Sequence, residues 1–107
     1  MVAFVSVGAV TSTLTAANPA GVSEDDLLIL VTHADDDLTI TPPAGWTTGL
    51  RIATGGSQYG LQYSWKVASA ADAIAADFTF TRNFSAAMRS YICCFTGNDT
   101  TTPIREH

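Results

Sequence analysis

Positive charge is scarce in this chain. Lys66 is its single lysine, and with Arg51, Arg82, Arg89 and Arg105 it makes five basic residues against ten acids, a net charge of −5. The five are scattered and form no basic stripe. Nucleic-acid binding depends on clustered Lys and Arg that neutralise phosphates, and attraction to an anionic membrane surface draws on the same charge. Both roles are argued against. Cysteine is limited to Cys93 and Cys94, which are adjacent. Neighbours on a strand point to opposite faces, so the two are poorly placed to bridge each other and read as small buried hydrophobes. Without a disulfide framework, stability must come from the core. Long apolar runs are missing as well. The longest, Leu27 to Val31, falls far short of the roughly 20 residues that span a bilayer. The start, Met1 to Val7, has neither a basic n-region nor a long apolar region with a cleavage site, so it does not read as a secretory signal. The expectation is a protein without membrane insertion, made in the cytoplasm and released, where it is released, by a route such as lysis.

What the chain has is alternation. From Gln58 to Val67, Tyr59, Leu61, Tyr63, Trp65 and Val67 point one way, and Gln58, Gly60, Gln62, Ser64 and Lys66 point the other. Side chains on a strand switch faces at every residue, so this is a β-strand with one apolar and one polar face. The apolar row is expected to lie sealed beneath a facing layer, and the polar row to meet water. Leu27-Leu28-Ile29-Leu30-Val31 is apolar on both faces, as a central strand is. Trp46 to Ala53 alternates again and is expected to pair antiparallel with the Gln58–Val67 strand through Thr54-Gly55-Gly56-Ser57. Ala3–Val10, Leu38–Ile40, Asp77–Thr81 (with Phe78 and Phe80 inward) and Ala87–Thr96 complete the strand-like segments, and Thr11–Ala17 is ambiguous. Ala68–Ala76 reads as a helical turn or an extended crossover. Asn18-Pro19-Ala20-Gly21 and Thr41-Pro42-Pro43-Ala44-Gly45 are turns.

The 107 residues make one domain, 1–107, with room for a real core. About seven strands at this spacing, with little helix, predict an all-β fold: an antiparallel β-sandwich, jelly-roll or immunoglobulin-like, with a small β-barrel as the alternative.

Several landmarks stand in a fixed order: Asn18-Pro19-Ala20-Gly21-Val22, Asp26-Leu27-Leu28, Thr41-Pro42-Pro43-Ala44-Gly45-Trp46, Tyr63-Ser64-Trp65-Lys66-Val67-Ala68, Phe78-Thr79-Phe80, and Phe95 to Ile104 with its Thr100-Thr101-Thr102-Pro103-Ile104 element. In combination they resemble a family of β-rich domains of bacteriophage tail and other virion proteins and of bacterial surface proteins. Asp25 stands where that family usually has Gly, and Phe95-Thr96-Gly97-Asn98 replaces its usual Tyr-Arg-Gly-Val. Members of the family continue with further strands past the Thr-Thr-Thr-Pro-Ile element, and the resemblance therefore implies, as an expectation, that the chain is part of a larger sandwich completed by a second copy. The resemblance implies a structural or adhesive module and brings no catalytic residues with it.

Chemistry-bearing residues are few. Asp35, Asp36 and Asp37 form the best candidate for a ligand or calcium site, since calcium takes six to eight oxygens. Thr32, Thr39 and the Glu24-Asp25-Asp26 loop are possible further donors. The run has no EF-hand spacing, and a solvated acidic loop is the plainer reading. Trp46 and Trp65 read as core residues. His33 is the one internal histidine and no G-x-S-x-G elbow exists, so a serine nucleophile has no setting. Gly55-Gly56-Ser57 lacks the Lys of a phosphate loop. Asn83-Phe84-Ser85 and Asn98-Asp99-Thr100 match a glycosylation sequon of a kind common by chance in Ser/Thr-rich chains.

The expectation is therefore a non-enzymatic structural module of a phage particle, in its tail, fibre or another virion component, without a cofactor. Its partners would be other virion proteins or copies of itself in a homo-oligomer. The alternative is a carbohydrate- or receptor-binding adhesion domain of a phage or a bacterial cell surface, touching a host-surface glycan through Asp35–Asp37, Thr54–Ser57 and Arg82–Ser85.

Overall fold

The structure, a computed structural model, describes residues 2–34, 39–53, 60–82 and 87–101, with the backbone alone at 50–53. Nine strands and one short helix follow one another as β1 (Ala3–Val7), β2 (Thr15–Ala17), β3 (Leu27–Ala34), β4 (Ile40–Thr41), β5 (Thr47–Ala53), β6 (Gly60–Val67), α1 (Ala70–Ile74), β7 (Asp77–Thr79), β8 (Thr81–Arg82) and β9 (Met88–Thr96). Five of them form one sheet in the order β1-β9-β3-β6-β5, and β2-β7 and β4-β8 form two small ribbons. Every pairing is antiparallel. The fold is all-β, and the ribbons and α1 cover one face of the large sheet.

The central position of β3 follows from its composition. It pairs along its whole length with β6 on one side and β9 on the other, so Leu30 faces Ser64 and Ile92, and Val31 faces Tyr63 and Tyr91. Leu28, Leu30, Ile92 and Cys94 pack against Ala16 of β2, Ile40 of β4 and Phe80, with Phe78 and Trp46 at the margin. The Trp46 and Phe78 rings meet edge to face, their centroids 5.3 Å apart. Trp46 is thus a core residue, and Phe78 and Phe80 point inward as their alternation predicts.

The corners are built as the turn residues require. Gly21 and Gly45 sit at φ 77° and 93°. Asn18 closes the far end of α1, its Nδ2 donating to the carbonyls of Asp72 (2.8 Å) and Ala75 (2.9 Å). The last carbonyls of a helix lack their usual donors four residues on, and the Asp72 carbonyl accepts from the Ala75 N–H at 3.3 Å as well. At the near end the Ser69 hydroxyl accepts from the Asp72 N–H, and the Asp72 carboxylate accepts from the Ser69 N–H at 2.8 Å. This reciprocal cap lets so short a helix form.

One expectation is overturned. The row Leu61, Tyr63, Trp65, Val67 does not lie sealed beneath the second layer; Leu61 is exposed and the other three are half-buried. The polar row points inward instead, with Gln62 at 3% and Ser64 at 1% exposure. The reason is local pairing. Gln62 Nε2 donates to the Ile40 carbonyl at 2.7 Å, and its Oε1 accepts from the Ile40 N–H at 3.1 Å. The amide thereby satisfies both backbone groups of a β4 residue. Ser90 Oγ likewise donates to Thr32 Oγ1 in the core. A polar group that finds its partners inside loses little by leaving water. Trp65 is not a core residue as expected, and Tyr59 lies outside the described residues.

Candidate functional site: the open face of the large sheet

Alternation leaves the large sheet a second face. Leu27, Ile29, Val31 and His33 of β3 point there, as do Leu61, Tyr63, Trp65 and Val67 of β6 and Arg89, Tyr91, Cys93 and Phe95 of β9. Register sets them in rows: Leu27 between Val67 and Phe95, Ile29 between Trp65 and Cys93, Val31 between Tyr63 and Tyr91, His33 between Leu61 and Arg89. Phe4 of β1 extends the first row, its ring 5.7 Å from that of Phe95 and 59% exposed. Across the sheet, the Tyr63 ring lies over Gly49 of β5, where a Cβ would collide with it. An aromatic laid over a strand glycine covers backbone that would otherwise face water.

No described element lies across this face, and its side chains cover one another sideways. None of its twelve positions on β3, β6 and β9 is acidic, in a chain with ten carboxylates. Arg89 and His33 sit together at one end, beside a depression of about 230 Å³ lined by His33, Ala87, Met88 and Arg89. That volume is below the range of about 300–1,000 Å³ usual for small-molecule sites. The Arg89 guanidinium donates to the Met88 carbonyl at 2.9 Å.

Asp35, Asp36 and Asp37 lie outside the described residues, as do Thr54–Ser57 and residues 83–85. Their proposed helpers are placed. Thr32 is buried and bonded to Ser90. Asp26 is 5% exposed, accepting from the Ser23 N–H at 2.9 Å and from the Cys94 thiol at 3.5 Å. Both point into the core rather than toward a shared loop site. Among the described residues no group of three or more His, Cys, Asp or Glu is placed to hold a metal, and no helix is long and apolar enough to cross a membrane.

The cysteines take opposite faces. Cys94 is fully buried, and burial together with the neighbouring Asp26 carboxylate pushes its thiol up to about 12. Cys93 is half-buried on the open face, its thiol raised by burial. On the inner side, Lys66 Nζ stands 3.0 Å from the Asp72 carboxylate. Burial acts to raise the Asp72 carboxyl, but the Ser69 N–H, the Lys66 ammonium and the Ser69 hydroxyl outweigh it and hold the group below its ordinary value.

The open face escaped the sequence reading, though a signal for it was present. β3 is apolar on both faces, and β9 carries Tyr91, Cys93 and Phe95 opposite Ser90, Ile92 and Cys94. Two strands apolar on both sides, beside a third with an aromatic row, supply apolar surface for two layers. No family model, curated protein or solved structure matches this chain.

Proposed function

We propose that this chain is a non-enzymatic structural module of a phage particle, in a tail, fibre or other virion component, and that it works by self-association through the open sheet face while its loops are displayed. The observation that carries the reading is that face: apolar, free of carboxylates on β3, β6 and β9, and uncovered by any described element. Contiguous apolar patches of this extent mark interaction surfaces. Placement in a phage particle is supported by the sequence resemblance alone. Repeated weak contacts between identical modules yield high avidity in an assembled particle. The test is the mass of the purified protein in solution by sedimentation across a wide concentration range. Association that rises with concentration supports the reading; a strict monomer throughout overturns it.

One observation favours a second reading. Tyr63, Trp65 and Tyr91 are half-exposed on a sheet face, where a sugar ring could stack. Against it, the positions between them are Ile29, Val31 and Cys93, which offer no strong hydrogen-bonding group to sugar hydroxyls. A glycan array, with Trp65 fluorescence as the local probe, tests it, and repetition in EDTA asks whether Asp35–Asp37 take part through calcium.

A further inference from the structure

We infer that the open face is closed by a second copy of this chain packed sheet face against sheet face, and not by extension of the large sheet at its edges. This deepens the self-association reading and rests on it.

The edges argue first. Antiparallel sheets that grow do so through a flat, regular edge strand. Here the edge strands are β1 and β5, and both are irregular. Between Phe4 and Ser6 the partner advances only from Phe95 to Cys94, so β1 holds one extra residue. Between Thr48 and Arg51 the partner advances only from Ser64 to Gln62, so β5 holds one extra as well. A bulge bends the strand and breaks the row of free donors and acceptors a newcomer would need. Both edges carry the same obstacle, and the face carries none.

Size argues second. Five strands of five to nine residues, spaced about 4.8 Å apart, present roughly 600 Å². Two copies would bury about 1,200 Å², the lower bound for a specific, stable interface. Sheets packed in this way lie about 10 Å apart with side chains interdigitated.

Charge argues third. The chain carries −5, so two copies repel unless their acids are kept apart. The open positions of β3, β6 and β9 hold no acid, and their basic group, Arg89, stands with His33 at one end. A twofold axis lying in the interface and across the strands sets that end over the Phe95 end of the other copy. Like charges then stay apart, and the same patch serves on both sides, as a twofold contact requires.

Cys93 reports on this geometry because it sits on the open face, on β9, one strand in from the β1 edge. The experiment is sedimentation of the wild-type chain with iodoacetamide labelling at each concentration, Cys93 and Cys94 being told apart by fragment mass spectrometry. The expected result is a dimer in which Cys93 is protected about tenfold or more as the dimer fills, while buried Cys94 stays unlabelled at every concentration. Val31→Lys, on the same face, should give a folded monomer by near-ultraviolet circular dichroism, with Cys93 labelled at all concentrations. Leu61→Lys, at an exposed rim position, should weaken the dimer without threatening the fold. A dimer whose Cys93 labels as fast as the monomer's overturns face-to-face packing and leaves self-association standing. A monomer at all concentrations overturns both. A dimer unchanged by Val31→Lys and Leu61→Lys also overturns the inference.

Discussion

The two faces of the large sheet are made from the same strands and could hardly differ more. The inner face carries Thr32, Gln62, Ser64 and Ser90 among its aliphatic residues and is dry. The outer face carries Tyr63, Trp65, Tyr91 and Phe95 and is partly wet. Polarity alone therefore does not decide which side of a strand is covered. What decides is whether the polar groups find partners: Gln62 finds Ile40, and Thr32 finds Ser90. The outer face loses the contest for the second layer because that layer, with β4 and α1, is built around the amide of Gln62 and the ammonium of Lys66.

The largest expected effect tests whether the core is on the inner side. Leu30→Ala, at a position 1% exposed, should cost about 2–5 kcal/mol in urea unfolding. Val31→Ala, its neighbour on the outer side, should cost about 1 kcal/mol or less when the protein is dilute. Equal losses would break the distinction between the faces.

Next in size is the buried amide. Gln62→Ala removes both bonds to Ile40 and should cost about 1–3 kcal/mol, with faster hydrogen exchange at the Ile40 amide. A neutral result would mean that the polar inner row is merely tolerated.

The Lys66–Asp72 contact sharpens the comparison through pH. The folded Asp72 carboxyl lies below its ordinary value. Its contribution to stability is therefore complete above the unfolded value of about 3.9 and is lost as pH falls through the lower folded value. Denaturation midpoints should drop on acidification below about pH 4 in the wild type, and less steeply in Asp72→Asn.

The smallest effect concerns Asp25, a non-glycine residue at φ 75°. Asp25→Gly should raise stability by about 0.5–1 kcal/mol, read as a shift of the urea midpoint at constant slope, because glycine enters that region without a Cβ penalty.

Much of the fold was legible from local pattern. The two-sided apolar run at Leu27–Val31 is the middle strand, Trp46–Ala53 pairs antiparallel with the strand before Ala68, and Cys93 and Cys94 part to opposite faces. The division of 77–82 into two strands on different ribbons was not, because its cause is tertiary: β7 pairs β2, and β8 pairs β4. The orientation of β6 was hidden for a related reason. A period of two marks two sides and cannot say which is inward, and the deciding contact joins Gln62 to Ile40, far apart in sequence. Asp35–Asp37, which the sequence singles out for chemistry, lie outside the described residues, and the open face was found only once register placed three strands together.

At Gly8 the chain leaves the ladder with β9, its N–H still donating to the Ile92 carbonyl at 2.8 Å. A Cβ there would stand 2.5 Å from the Ala17 carbonyl oxygen of the opposing ribbon. Main chain thus meets main chain at this crossing, with nothing between to act as a spacer. Even a methyl group would force the β2–β7 ribbon to shift, so the closeness of the two layers at this crossing is set by a residue that brings no side chain.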